Sequence, residues 1–125
     1  LKLKSFYAGK NVLLSGCTGF LGKVILEKLM RSCPEINKFY IMVRPKRTKV
    51  PMDRVKSEIL SSYCFARVKR ERPDFLKWAE SKIVPIQGDL VLDGLGIPSE
   101  EREDILENVN IIINSAASVN FDDPI

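Results

Sequence analysis

The stretch SGCTGFLG, residues 15–22, sets three glycines, Gly16, Gly19 and Gly22, at a spacing of three. Each glycine inside a regular element costs about 0.5–1 kcal/mol relative to alanine, so such a cluster requires a tight turn or a ligand that the backbone must approach. The flanking residues decide between the two. NVLLSG, residues 11–16, is a short continuous apolar run, the pattern of a strand covered on both faces. Behind it Leu21, Val24, Ile25 and Leu29 recur at helical spacing, and Pro34 ends the run. FYIMVR, residues 39–44, then reads as a second strand that stops at Pro45. Strand, glycine loop, helix and strand in this order frame a dinucleotide site. Gly16 allows the sharp turn, Gly19 lets a pyrophosphate approach, and Gly22 lets the helix pack close to the strand. The helix N-terminus supplies free N–H groups and a partial positive charge to the phosphates.

The rest of the chain extends the frame. Residues 52–80 have helical character with a break at Pro73, and Val55, Ile59 and Leu60 offer an apolar face. KIVPIQGDL, residues 82–90, is a third apolar strand, and Pro85 inside it requires an edge position. Ser99 followed by Glu100 and Glu101 marks a helix start, because serine and first-turn acids satisfy free amides and the helix dipole. VNIIINSAA, residues 109–117, is a fourth strand running into small residues. Apolar strands alternating with helices predict an α/β fold, a Rossmann-like doubly wound parallel sheet. The chain starts at Leu1 rather than methionine and stops at NFDDPI. It is expected to be a fragment, residues 1–125 forming the N-terminal half of a dinucleotide-binding domain.

Composition narrows the chemistry. The 125 residues are 45% hydrophobic and 29% charged, ordinary for a globular domain, and no apolar run approaches the roughly 18 residues of a membrane span. There is no histidine, so Ser-His-Asp, Cys-His and His-metal sites cannot be built from this chain. The three cysteines, Cys17, Cys33 and Cys64, are widely spaced and form no C-x-x-C pair, which argues against zinc and against a disulfide framework. The net charge of +4 is uneven: bases dominate from Arg44 to Arg72 and acids from Asp74 to Glu107. No aromatic residues interleave with the bases as a stacking platform would require, so no nucleic-acid partner is expected.

The choice of dinucleotide turns on the end of the second strand, where an acid about 20 residues past the glycines would bind the 2′-hydroxyl of NAD. Residues 40–43 are neutral there, and Arg44 follows, then Lys46, Arg47 and Lys49. A carboxylate repels a 2′-phosphate, whereas a guanidinium pairs with it through charge-assisted hydrogen bonds. The expected cofactor is NADPH, with Arg44 on the phosphate; a solvated basic loop is the competing reading for Lys46, Arg47 and Lys49. At the end of the third strand Asp89 could accept from the adenine amino group with Leu90 beside the ring, or the pair could form a plain turn. Ala116 and Ala117 suit close approach of a ligand and equally close packing of a following helix.

Taken together, FYAGKNVLLSGCTGFLGKVILEKLMRSCPEI, IMVRPK, KIVPIQGDL and NVNIIINSAASVNFDDPI resemble, in order and spacing, the N-terminal part of fatty acyl-CoA reductases of the extended short-chain dehydrogenase/reductase group. The resemblance runs from about Ser5 to Ile125. It implies an oxidoreductase that reduces a long-chain acyl-CoA substrate through an aldehyde to a fatty alcohol with NADPH. By the same resemblance the cofactor contacts are Gly16, Thr18, Gly19, Phe20, Leu21 and Gly22, Arg44 with Arg54 as helper, Asp89, Leu90, Ala116 and Ala117. Two positions depart from the pattern: Ser15 stands where the motif usually begins with threonine, and Asn114 where many relatives carry histidine. Carrier-protein thioester reductase domains share the glycine and arginine motifs and form one alternative; a non-catalytic NADP-binding protein is another.

Relatives of this group carry a Tyr-x3-Lys pair in which the lysine eases the tyrosine's proton transfer. Here Tyr7 is followed four places on by Asn11, Tyr40 by Arg44 and Tyr63 by Arg67, so no catalytic residue is expected within the chain, and no metal site. The resemblance also implies an intracellular protein on the cytosolic face of peroxisomal or endoplasmic reticulum membranes, attached only through segments outside these residues. It leaves the oligomeric state open.

Overall fold

In a computed structural model the chain is described at residues 2–43, 50–88, 97 and 99–115. The elements are helix α1 (Lys2–Tyr7), strand β1 (Asn11–Ser15), helix α2 (Phe20–Ser32), strand β2 (Lys38–Val43), helices α3 (Pro51–Arg54), α4 (Ala66–Glu71) and α5 (Phe75–Lys82), strand β3 (Ile83–Gln87), helix α6 (Ser99–Asn108) and strand β4 (Ile111–Asn114). The strands pair in parallel in the order β3-β2-β1-β4. Pro85 therefore lies in a strand at one end of this sheet, where its missing N–H breaks no ladder on the outer side.

Alternation along the strands explains why both faces need helices. Val12, Leu14, Phe39, Ile41, Val43 and Ile83 share one buried cluster with α2, α4 and α5. Leu13, Tyr40, Met42 and Ile86 point the other way, toward Ile97 and, on α6, Ile105. A sheet covered on both faces needs near-continuous apolar strands, which is the pattern read from the sequence.

The apolar stripe of α2 is in part the one expected, since Leu29 is buried and Ile25 packs against the core, but its first half is placed differently. Leu21 is 59% exposed and Val24 38% exposed, while the core side carries Gly22, Leu26, Leu29 and Met30. That stripe begins on a glycine, which a count of apolar side chains passes over, so a pattern anchored on Leu21 is turned by one residue. The middle segment also departs from a single break at Pro73: a π-helical turn (Val55–Leu60) and a 3-10 turn (Tyr63–Phe65) separate α3 from α4. Val55, Ile59 and Leu60 are buried as their spacing requires. β4 is not covered on both sides among the described residues, since Ile111 and Ile113 pack on the core but Ile112 is 68% exposed.

Asparagines hold together the starting ends of three strands. Asn11 accepts from Asn37 Nδ2 (2.9 Å) and donates to the Asn108 carbonyl (2.8 Å), and its backbone N–H donates to Asn110 Oδ1 (2.9 Å). This network closes the lower rim of the sheet. The opposite rim, where β1 and β4 end, carries the glycine loop.

Candidate functional site

β1 ends at Ser15, and the chain turns at once through Gly16, whose φ of +80° lies in the left-handed region that favours glycine. The Gly16 carbonyl accepts from the Gly19 N–H at 3.1 Å. A Cβ built on Gly22 would lie 2.1 Å from the Gly16 oxygen, 2.6 Å from its carbonyl carbon and 2.8 Å from the Cys17 Cα. Gly22 therefore makes room for the turn itself, and no side-chain rotation could accommodate a methyl group there.

Gly19 differs from both. Its φ is −85°, and a Cβ there would meet nothing nearer than the Gly16 oxygen at 3.4 Å, an ordinary contact at the close end of the range. Nothing inside the described fold demands glycine at this position. A demand from outside, such as a ligand lying against the backbone, accounts for it.

Gly19 is also the N-cap of α2. No side chain caps this helix end and no acid stands in its first turn, while the Lys23 N–H is the one that reaches back to the Gly19 carbonyl at 3.1 Å. The first N–H groups of an α-helix have no partner within the helix, and together they attract an anion. Thr18, Phe20 and Leu21 are exposed beside them, Phe20 by 82%.

β1 lies between β2 and β4, so the chain leaves it toward β2 and β3 and later returns to its other side. That reversal opens a crevice at the ends of β1 and β4, the place where open α/β sheets bind ligands. The two departures noted above meet in this crevice. Ser15 and Asn114 are register partners, and the Ser15 hydroxyl donates to Asn114 Oδ1 at 2.6 Å. Neither position was distinguished from sequence as a partner of the other, because they are 99 residues apart.

Arg54, the last residue of α3, is 6% exposed. Its Nε donates to Glu58 Oε2 at 2.6 Å and its Nη2 to Oε1 at 3.4 Å, while buried Nη1 has no partner among the described residues. A buried donor left unsatisfied costs about 1–3 kcal/mol, more when charged, so an arginine held this way suits an anion. Arg44 follows directly on Val43, the end of β2, and lies outside the described residues with Lys46, Arg47 and Lys49. Asp89, Leu90, Ala116 and Ala117 lie outside them too.

Two reactive groups are unsuited to chemistry as placed. Tyr40 is buried on β2, its hydroxyl donates to Asp104 Oδ2 at 3.2 Å, and burial first and Asp104 second push its pKa up. Cys17, inside the glycine loop, is 1% exposed, and burial pushes its thiol up to about 12 from an ordinary 9.0. The folded state holds the neutral thiol, so this contribution to stability is whole below pH 9 and is lost as pH rises from there toward about 12. Iodoacetamide at pH 8 is expected to modify half-buried Cys64 well before buried Cys17 and Cys33. Mass mapping of the peptides checks this, and early labelling of Cys17 would contradict the packed loop.

The fold agrees with the comparisons to known proteins. An NAD-binding family described as male sterility protein matches residues 14–125. The chain belongs to this family. Fatty acyl-CoA reductase 1 of Pongo abelii is 46% identical over 98% of this chain, and fatty acyl-CoA reductase wat of Drosophila melanogaster is 41% identical over 97%. The chain spans 23% and 22% of those relatives. The family to which it belongs is NAD-binding, so its cofactor is a nicotinamide dinucleotide. Among solved structures, the terminal R domain from the myxalamid PKS-NRPS biosynthetic pathway superposes with a TM-score of 0.69 at 30% identity, covering 94% of this chain and 27% of that one. The reductase (R) domain of a non-ribosomal peptide synthetase from Mycobacterium tuberculosis gives 0.68 at 25% identity, covering 89% and 25%. Both support the Rossmann-like architecture. Among the described residues no helix is long and apolar enough to cross a membrane.

Proposed function

We propose that this chain is an NADPH-binding part of a reductase that converts a long-chain acyl-CoA thioester, through the aldehyde, to a fatty alcohol. The observation that carries the reading is the glycine loop. Gly16 and Gly22 are required by the fold, Gly19 is required by nothing among the described residues, and the uncapped start of α2 stands beside them. In this reading the backbone of Gly19, Phe20, Leu21 and Gly22 holds the pyrophosphate, with Thr18 at its side. Arg44 and Arg54 hold the 2′-phosphate, Asp89 and Leu90 the adenine, and Ala116 and Ala117 the path of the ribose. The bound cofactor supplies a hydride to the thioester carbonyl. These residues orient the cofactor and do not transfer protons, because the chain lacks a Tyr-x3-Lys pair.

Gly19→Ala separates binding from folding. Its new methyl meets a single ordinary contact, so stability is expected to change by about 0.5 kcal/mol. The methyl stands where the phosphate would lie, and NADPH affinity is expected to fall at least about tenfold, or about 1.4 kcal/mol. Calorimetric titration of the intact protein with NADPH, alongside its thermal melt, reads both. Wild-type affinity in this variant would remove Gly19 from the site.

The solved R domains favour a second reading, a reductase of carrier-bound thioesters. Identity of 46% with a fatty acyl-CoA reductase against 30% with an R domain weighs toward the CoA thioester. Turnover of the intact enzyme with palmitoyl-CoA and with the same acyl group on a carrier protein distinguishes them. Membrane attachment on the cytosolic face belongs to the proposal as well, and fractionation of cells expressing the intact protein tests it.

A further inference from the structure

We infer that Ser15, Asn114 and Ser115 form a clasp that positions the glycine loop, and that Asn114 is a positioning residue for the dinucleotide. The inference rests on the dinucleotide reading above. Ser15 is the last residue of β1 and Asn114 the last of β4, and the two are paired in register. The side chain of Ser15 donates to Asn114 Oδ1 at 2.6 Å. The Ser15 carbonyl receives two donors from the residue after β4, the Ser115 N–H at 3.2 Å and the Ser115 hydroxyl at 2.7 Å. Three hydrogen bonds, two accepted and one donated by Ser15, thus tie a single residue to one short segment, where one ladder bond would complete the strand pairing.

The residue they grip is the one immediately before the left-handed turn. Gly16 carries φ +80°, its carbonyl accepts from Gly19, and the same carbonyl oxygen sits where a Gly22 side chain would be. The peptide between Ser15 and Gly16 is therefore held from the β4 side by the clasp and from the α2 side by the glycine packing. Rotation of that peptide would swing Gly19 and the first turn of α2, the groups that would face the phosphates. Ser15 is 6% exposed, so water does not readily replace the partner of its hydroxyl. The sheet does not depend on this bond, since β1 and β4 also pair through Val12, Leu13 and Leu14. Losing the clasp loosens the loop and leaves the scaffold.

The test uses Ser15→Ala, Asn114→Ala, the double variant and Ser15→Thr in the intact protein, each titrated with NADPH at a temperature well below its melt. Each alanine variant is expected to weaken NADPH binding about tenfold, with a melting temperature lowered by about 4 °C or less. The double variant is expected to be no weaker than Asn114→Ala alone, because that variant has already removed the Ser15–Asn114 bond. Ser15→Thr keeps the hydroxyl and is expected to restore wild-type affinity. Unchanged affinity with a lowered melting temperature would reduce the clasp to a structural contact and overturn the inference, as would a double variant that binds more weakly than Asn114→Ala by the full loss seen in Ser15→Ala. Failure of the unmodified protein to bind either NADPH or NADH would instead overturn the dinucleotide reading, and the clasp's role with it.

Discussion

Replacing Gly22 with alanine is expected to destabilise the fold by about 2 kcal/mol and to abolish measurable NADPH binding. Two effects oppose each other at this position. Alanine in a helix interior is better than glycine by up to about 1 kcal/mol, because the chain loses less backbone freedom on folding. Against that, the methyl would lie 2.1 Å from the Gly16 oxygen and 2.6 Å from its carbonyl carbon. Both are backbone atoms of a strained turn, so relief requires moving α2 off the sheet. Overpacking of this kind costs about 3 kcal/mol, and the clash wins. The movement displaces the first turn of α2 from beside Gly16, which removes the phosphate cradle together with the packing. A thermal melt and a calorimetric titration measure the two losses. A Gly22→Ala protein with wild-type melting and wild-type affinity would show that the helix does not sit against the turn. Comparison with Gly19→Ala is direct, since there the methyl has space and only binding is expected to suffer.

Joint replacement of Arg44 and Arg54 by alanine is expected to lower NADPH affinity at least about 100-fold and to leave NADH affinity within about twofold. Each charge-assisted hydrogen bond to a phosphate contributes about 1.5–3 kcal/mol, so two guanidiniums on one 2′-phosphate account for a change of this size. Arg54 has a buried Nη1 without a partner among the described residues, while Glu58 holds its other edge. Its removal also strips Glu58 of that ion pair, and some stability will be lost for that reason. NADH lacks the phosphate and so serves as the internal control. A parallel fall for both dinucleotides would mean that the loop was damaged, and an unchanged NADPH affinity would remove the arginines from the site. Inhibition by adenosine 2′-monophosphate gives an independent reading, and it is expected to weaken in step with NADPH.

Strands β1 and β2 were legible because strands buried on both faces are near-continuously apolar, and such runs stand out in any order; β4 shows the same apolar run although Ile112 is 68% exposed. Pro85 marked the edge strand for a separate local reason, its missing N–H. The helix after the loop was legible as a helix but only partly in its rotation, since Ile25 and Leu29 face the core while Leu21 and Val24 do not. Its core stripe starts at Gly22, and a residue without a side chain leaves no mark on an apolar pattern. The π-helical turn at residues 55–60 was hidden because it preserves the burial of Val55, Ile59 and Leu60 that an ordinary helix would also show.

In the candidate site, the spacing of Gly16, Gly19 and Gly22 and the basic residue after the second strand are local features. The sequence by itself determined them, together with the α/β class, since each depends only on chain neighbours and strand or helix periodicity. The separate roles of the three glycines were also read from their spacing; tertiary structure alone supplied the distance from each absent Cβ to backbone across the turn, too short for a side chain at Gly22 and ordinary at Gly19. It likewise decided that Ser15 faces Asn114. Parallel pairing of β1 with β4 brings together residues 99 apart, and no local pattern encodes which positions come into register.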